Sequence, residues 1–215
     1  MGYNCHTIMK KYGNHIGVST YHAFVIIMLL IISIFCSCKK NPSGKCGPNL
    51  FWTYNAETEE LVITGTGEMT CKYANTPWLY DQEHGVFTKY IIRSISLPEG
   101  LTTIGAGVFS GTSITTITIP NTVVDIGDSA FADCDFLKTV QIGKNVKRIG
   151  YYAFGLNAEG CNRTIINNAN IPQKITEHEF YNYIHSASLY VPRASLLEYK
   201  NAEIWKEFGT IEPIE

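Results

Sequence analysis

The feature that most constrains this chain is a short repeat that returns every 22 to 26 residues. In four places a phenylalanine follows an isoleucine by five positions: Ile104/Phe109, Ile126/Phe131, Ile149/Phe154 and Ile175/Phe180. A unit this short cannot bury its own apolar side, so successive units have to stack on one another. The spacing therefore predicts a solenoid in which the four phenylalanines form one structural column.

Short strands of alternating character precede the first three pairs. In the first strand, Ile95 and Leu97 alternate with Ser94 and Ser96, which places the two sets on opposite faces. Stacking is expected to align these strands into a narrow parallel sheet. The residues predicted to face outward are small or hydrogen-bonding and uncharged: Ser94, Ser96, Thr116, Thr118, Thr139 and Gln141. They are the candidate ligand-binding face, although an exposed sheet that only needs to be soluble explains the same pattern.

A glycine directly follows Ile104, Ile126 and Ile149. Because glycine adopts backbone conformations that other residues avoid, we expect it to serve a tight turn after each isoleucine. Each unit then consists of a strand, a turn, an apolar arm and a return that carries the phenylalanine.

These units resemble the BspA-like bacterial leucine-rich repeats. The resemblance is carried by ITTITIPNTVVDIGDSAFADCDF at 114–136 and LKTVQIGKNVKRIGYYAFG at 137–155. The opening CGPNLFWTYNAETEELVITGTGEM at 46–69, with Pro77-Trp78 after it, is similar to the N-terminal cap of that family, and 187–214 is similar to its C-terminal cap. The resemblance implies a leucine-rich repeat solenoid, a right-handed stack of strand–turn units with a β-rich N-cap and an α/β C-cap. It also implies an envelope binding protein of Bacteroidetes type, with an undefined ligand.

On this basis the chain divides into five parts: 1–37, a lipoprotein signal peptide; 38–45, a polar tether; 46–89, the N-terminal β cap; 90–186, four repeats of which the last is degenerate; and 187–215, the C-terminal cap. Caps are needed because open solenoid ends expose apolar faces and unpaired strand edges. We expect a hairpin around the turn 55–59 with Trp78 in the core of that cap. The other cap is predicted to contain a strand stopped by Pro192, one or two short helices and a final extended segment.

An apolar run near the N-terminus predicts export. It extends from Ala23 to Cys36, and its 14 residues are fewer than the roughly 20 that a transmembrane helix needs. Lys10 and Lys11 before the run and small residues after it are typical of a secretory signal peptide.

The end of this segment resembles a bacterial lipoprotein box, in which Cys38 becomes the acylated N-terminus. The protein would then be an outer membrane lipoprotein that contacts the membrane only through the acyl chains on Cys38. An ordinary cleaved signal is the alternative. Lys39 and Lys40 follow Cys38 where family surface-export signals are acidic, so both a periplasmic and an exterior orientation stay open.

Four cysteines follow the tether. Cys46 and Cys71 are a candidate disulfide within the N-terminal cap, because an exported protein meets an oxidising compartment. Cys134 and Cys161 each follow the phenylalanine of their repeat and are expected to be buried as small apolar residues.

The sequence offers little for catalysis or metal binding. It contains no H-E-x-x-H and no G-x-S-x-G, and its histidines are scattered, so we expect no catalytic residue, no metal and no cofactor. One repeat carries four aspartates that fit a solvated acidic ridge better than a calcium loop: Asp125, Asp128, Asp133 and Asp135. Aromatic residues in the last repeats suit either sugar stacking or packing between coils: Tyr151, Tyr152, Tyr181 and Tyr183.

Two classes of function follow. The first is a non-catalytic, lipid-anchored envelope protein that binds a protein or glycan ligand, as in adhesion. Nucleic acid is not expected as a partner, because 17 Lys and Arg against 19 Asp and Glu leave no positive excess to meet phosphates. The alternative is an envelope polysaccharide hydrolase or its accessory subunit. Hydrolysis would require paired carboxylates across a cleft, and the outward strand positions show none.

Overall fold

The four repeat phenylalanines lie in one column, as the spacing predicts. Successive ring centroids are 5.2, 5.3 and 5.6 Å apart, and the ring planes are inclined by 26°, 4° and 10°. All four side chains are fully buried. Aromatic contacts of this kind add about 0.5–1.5 kcal/mol per pair to the free energy gained by burial. The column confirms that the repeats stack as coils of a solenoid.

The protein is described by a computed structural model that covers residues 41–81, 86–87, 90–156 and 162–215. The predicted signal peptide, the anchor Cys38 and Cys161 lie outside these ranges. Within them, every helix is too short or too polar to cross a bilayer.

The described part of the N-terminal cap region contains six short strands: β1 (Ser43–Lys45), β2 (Leu50–Asn55), β3 (Glu60–Gly65), β4 (Gly67–Glu68), β5 (Tyr80–Asp81) and β6 (Val86–Phe87). β2 and β3 pair antiparallel from Leu50 opposite Gly65 to Asn55 opposite Glu60, which confirms the predicted hairpin. β1 pairs with β2 although its residues fall in the segment assigned to the tether. Gly44 lies against the indole of Trp52, so this part of the chain packs on the cap.

The described part of the repeats contributes seven further strands: β7 (Ser94–Ser96), β8 (Leu101–Ile104), β9 (Thr116–Thr118), β10 (Asp125–Ile126), β11 (Thr139–Ile142), β12 (Arg148–Ile149) and β13 (Thr164–Asn167). β9, β11 and β13 pair in parallel, so the second and third predicted strands form the narrow sheet together with β13, whereas β7, the first predicted strand, pairs with β3 of the cap hairpin. The apolar arms form a second ladder, in the order β12-β10-β8-β4, which the repeat pattern did not indicate. The second and third units therefore each contribute one strand to the sheet of β9, β11 and β13 and one strand to this second ladder.

The glycines after the isoleucines begin tight turns, as predicted, since the amides of Ala130 and Ala153 donate to the carbonyls of Gly127 and Gly150 at 3.2 and 3.1 Å. They also allow close contact between coils. A Cβ on Gly127 would lie 2.6 Å from the amide nitrogen of Ala106 in the preceding coil, well inside van der Waals contact. Gly127 does not have a positive φ. The left-handed backbone occurs two residues later in each unit, at Gly107, Ser129 and Tyr152.

Aromatic side chains extend the column into both caps. Trp78 is fully buried and stacks on Phe109 with a centroid distance of 5.7 Å. Its indole N–H donates a hydrogen bond of 2.7 Å to the carbonyl of Val108, so its one polar group is satisfied. At the other end, the rings of Trp205 and Phe208 contact the ring of Phe180, with centroid distances of 5.6 and 5.3 Å.

The C-terminal cap contains β14 (Ser188–Val191), a one-and-a-half-turn helix α1 (Leu196–Asn201) and β15 (Thr210–Pro213). As predicted, the first strand ends at Pro192 and a final extended segment follows the helix. β14 pairs in parallel with β13, and β15 with β14. The sheet β9-β11-β13-β14-β15 therefore runs through the last repeats and ends within the cap.

The irregular fourth unit attaches this cap through buried hydrogen bonds. The Asn167 amide donates to the side-chain oxygen of Gln173 at 2.9 Å, and the Gln173 amide donates to the carbonyl of Val146 at 2.9 Å. The indole of Trp205 donates to the carbonyl of Gln173, and the hydroxyl of Tyr199 donates to Ala169. Polar residues replace the apolar pattern here because they join the last repeat to the cap.

A buried arginine lies between the third and fourth units. Arg163 is 2% exposed, and its guanidinium donates to the carbonyls of Cys134 at 2.7 Å and Phe154 at 3.1 Å. The same group lies 4.6 Å from the ring centroid of Tyr183. Carbonyl dipoles and a ring face thus stabilise this cation among the described residues.

The two cysteines of the N-terminal cap lie side by side. The carbonyl of Cys46 accepts hydrogen bonds from the amides of Thr70 at 2.7 Å and Cys71 at 3.3 Å. Both thiols are buried and unlinked in the structure. Contact with Cys71 lowers the pKa of Cys46, while that contact and burial raise the pKa of Cys71. Their disulfide stays a prediction.

Cys134 is buried, as expected for a small apolar residue. Its thiol donates a hydrogen bond of 3.2 Å to the carbonyl of Phe109, and burial raises its pKa. This thiol is therefore held in the inert protonated form.

Candidate functional site: the exposed face of the five-stranded sheet

Strand register brings predicted binding residues into a continuous row of hydroxyls. Thr116 lies opposite Thr139, and the row continues strand by strand through Thr164, Ser188 and Thr210. Side chains at matched positions of neighbouring strands point to the same face and lie within contact distance. The C-terminal cap thus lengthens a polar row whose predicted members end at the third repeat.

A second row lies two residues further along each strand. Thr118 lies opposite Gln141, and the row continues through Ile166, Tyr190 and Glu212. Thr116 and Thr118 are exposed, whereas Thr139 and Gln141 are half-buried. We call these two rows together the hydroxyl face. It changes from purely polar at the N-terminal side to aromatic and acidic at the cap.

Ser94 and Ser96 are exposed as predicted, but they belong to another sheet. β7 pairs in parallel with β3 of the cap hairpin, with Ser94 opposite Glu60 and Ser96 opposite Val62. It is the last strand of the sheet β1-β2-β3-β7, while β9 begins the five-stranded sheet. The structure therefore divides the six predicted residues into a pair on the cap sheet and a group of four on the hydroxyl face.

Four further residues border the hydroxyl face where its strands end. Together with Thr118 and Gln141, a shallow depression is lined by Glu99, Asn121, Lys144 and Asn168. Their order follows the coils, with steps of 22, 23 and 24 residues. The Asn121 side chain accepts a hydrogen bond of 3.0 Å from the amide of Lys144 in the next coil. The repeat period was therefore the signal that could have identified these residues.

The aspartates of the second repeat are partly neutralised. Arg148 donates to Asp125 at 2.8 Å and to Asp128 at 2.6 Å, and these partners raise its pKa. No three acidic, histidine or cysteine side chains of the described residues are grouped closely enough to hold a metal ion. Ion pairing is the role that the structure gives Asp125 and Asp128.

Comparison with known proteins agrees with this architecture. The family model for the BspA type leucine-rich repeat region matches residues 83–198 with six copies. The chain belongs to this BspA-type leucine-rich repeat family. The match extends into both predicted caps, and it counts six copies where the isoleucine–phenylalanine pairs number four.

Among solved structures, a leucine-rich repeat protein from Eubacterium ventriosum is similar, with 25% sequence identity and a TM-score of 0.46. The similarity covers 80% of this chain and 40% of that protein, so the chain spans less than half of its length. No curated protein was found to match the chain.

Leucine-rich repeat domains generally bind protein ligands and are generally non-catalytic. Solenoids present extended surfaces because each repeat adds the same positions to one face. In this chain, the extended surface that the BspA-type repeats present is the hydroxyl face.

Proposed function

We propose that this chain is a non-catalytic, lipid-anchored protein of the bacterial cell envelope that binds a protein ligand through the hydroxyl face. The observation that carries the proposal is the register that aligns Thr116, Thr139 and Thr164 in one row. Hydroxyls and amides in rows suit the alternating donors and acceptors of another polypeptide. The family supports this choice, because its repeats generally serve protein binding.

Charge supports the same choice. The hydroxyl face carries one carboxylate, that of Glu212, and no Lys or Arg in its two rows. Nucleic acid would require a basic stripe. Glycoside hydrolysis would require two carboxylates placed on either side of a bond, so one carboxylate favours binding over catalysis.

The proposal predicts that charge on the hydroxyl face abolishes ligand capture. In the variant Thr116→Lys/Thr118→Lys, two unpaired ammonium groups would have to be desolvated at the interface, and we expect affinity to fall by about tenfold or more. The full-length chain in neutral detergent is used as bait for envelope and host extracts, and bound proteins are compared by mass spectrometry.

The matched control is Val124→Lys/Asp135→Lys, which places the same two side chains at exposed positions off this sheet. We expect the control to capture the same proteins as the unmodified chain. Equal capture by the sheet variant would contradict the proposed binding face.

The anchor makes a separate prediction. If Cys38 is acylated, cells fed with a tagged fatty acid label the chain, and Cys38→Ala removes the label because no thiol remains at the processing site. Cys36→Ala is the matched control and should keep the label. A chain that is labelled equally in both variants, or in neither, would disprove anchoring at Cys38. The location that we propose is the outer membrane, facing either the periplasm or the exterior.

A further inference from the structure

Four aromatic rings form an exposed cluster on the last two repeats. Tyr151 contacts His178 at a centroid distance of 4.9 Å, and His178 contacts Tyr181 at 6.2 Å. Tyr152 closes the group, at 5.7 Å from Tyr181 and 6.4 Å from Tyr151. Tyr151 is 57% exposed and Tyr181 is 43% exposed. We call these four residues the aromatic patch. Tyr183, by contrast, is buried against Arg163 and belongs to the core.

The fold does not require large rings at these positions. Earlier coils have Ala106 and Asp128 where the third has Tyr151, and they close the same turn. At the next position Gly107, Ser129 and Tyr152 all have left-handed backbone, with φ of 66°, 54° and 56°.

Left-handed backbone is free of cost for glycine and unfavourable for a bulky residue, by about 1–2 kcal/mol. Tyr152 therefore occupies a position at which the first repeat uses glycine. Strain of this kind is concentrated at functional sites, where a side chain is kept for what it contacts. The Tyr152 side chain contacts both neighbouring coils, through Asp133 in the preceding one and Tyr181 in the following one.

Hydrogen-bonding groups surround the aromatic patch. The hydroxyl of Tyr152 donates to Asp133 at 3.4 Å, and Asp128 accepts the amide of Tyr151 at 3.0 Å. A shallow depression beside the patch is lined by Tyr181 together with Glu177, Asn182, His185 and Ser186, among others. Among the residues that the structure describes, no Lys or Arg lines it. The surface therefore offers apolar ring area next to carboxylate, amide and hydroxyl groups.

We propose that the aromatic patch binds a neutral glycan. The apolar C–H face of a pyranose packs on an exposed tyrosine ring, and its hydroxyls donate to carboxylates such as Glu177 at the rim. Acidic sugars are excluded because Glu177 and Asp133 would repel them and no cation of the depression offsets the charge. The patch lies on the turns of the third and fourth repeats, so this site is distinct from the hydroxyl face.

The experiment uses the full-length chain in neutral detergent, run in native gels that contain a neutral β-glucan, a neutral mannan or an anionic polygalacturonate. We expect at least one neutral polysaccharide to retard the chain and the anionic one to have no effect. Tyr151→Ala/Tyr181→Ala should weaken binding by about tenfold or more, because two ring contacts are lost. The variant Tyr190→Ala removes an exposed tyrosine of the hydroxyl face. It should bind the neutral polysaccharide as strongly as the unmodified chain does.

Thermal melting separates recognition from folding. Both tyrosines of the double variant are exposed, so its Tm should stay within about 2 °C of the unmodified chain. The proposal is overturned if no neutral polysaccharide retards the chain, or if the double variant binds sugar normally. It is equally overturned if Thr116→Lys/Thr118→Lys loses the sugar, which would place the glycan on the hydroxyl face. A double variant that instead loses only a protein ligand would assign the patch to that partner.

Discussion

Replacing Phe131 by alanine is expected to lower the free energy of unfolding by about 3–5 kcal/mol. Phe131 is at the centre of the column and stacks on Phe109 and on Phe154 at the same time, so one truncation weakens two interfaces between coils. The side chain is fully buried, and a rigid stack of backbones cannot collapse into the resulting cavity. Urea unfolding followed by circular dichroism measures the loss.

Phe131→Leu is the graded control, because leucine keeps most of the apolar volume and loses only the ring contacts. We expect it to cost about 1–2 kcal/mol. Since the stability of a solenoid is a sum over units and their interfaces, the alanine variant should also broaden the transition as the two halves uncouple. If both variants lose the same small amount of unfolding free energy, the column is not the element that holds the coils together.

Replacing Arg163 by alanine is expected to cost about 3 kcal/mol or more. The carbonyl of Phe154 would lose its donor inside the protein, at about 1–3 kcal/mol, and the carbonyl of Cys134 would keep only the amide of Leu137 as its donor. The ring of Tyr183 would lose the guanidinium packed over it. Thermal melting should show a fall in Tm of roughly 6–12 °C, from the usual scaling for a chain of this size.

The matched control is Arg193→Ala, because Arg193 is exposed at the start of the C-terminal cap. A surface change of this kind is expected to stay within about 0.5 kcal/mol. Arg163→Lys provides an intermediate case, since an ammonium group cannot reproduce the fork that reaches both carbonyls. Equal melting of the Arg163→Ala and Arg193→Ala variants would show that the buried arginine contributes nothing to joining the units.

The candidate site shows which neighbouring residues can be predicted from the repeat period alone. Thr116, Thr118, Thr139 and Gln141 were predicted to share an outward face, and the register of β9 and β11 pairs them in that way. The row continues to Thr210 because the C-terminal cap adds strands to the same sheet. That extension was missed, since the cap does not carry the isoleucine–phenylalanine signature on which the prediction rested.

Other features depend on contacts between coils that no single unit encodes. The sequence alone indicates the turn that begins at Gly127, but not that the backbone of the preceding coil lies against this residue. Arg163 reads as a surface residue until the third and fourth units are stacked and enclose it. The same holds for Asn167, whose partner Gln173 becomes a neighbour only in the folded fourth unit.

By itself, the sequence determined the repeat, its stacking and the aromatic column, because a short unit with one apolar side has a single general way to bury that side. Only the tertiary structure decided the second ladder, the length of the hydroxyl face and the aromatic patch on the last two repeats. The physical reason is that these features arise from distances between coils. Residues some 20 positions apart in the chain become neighbours only once the rise and register of the solenoid are set.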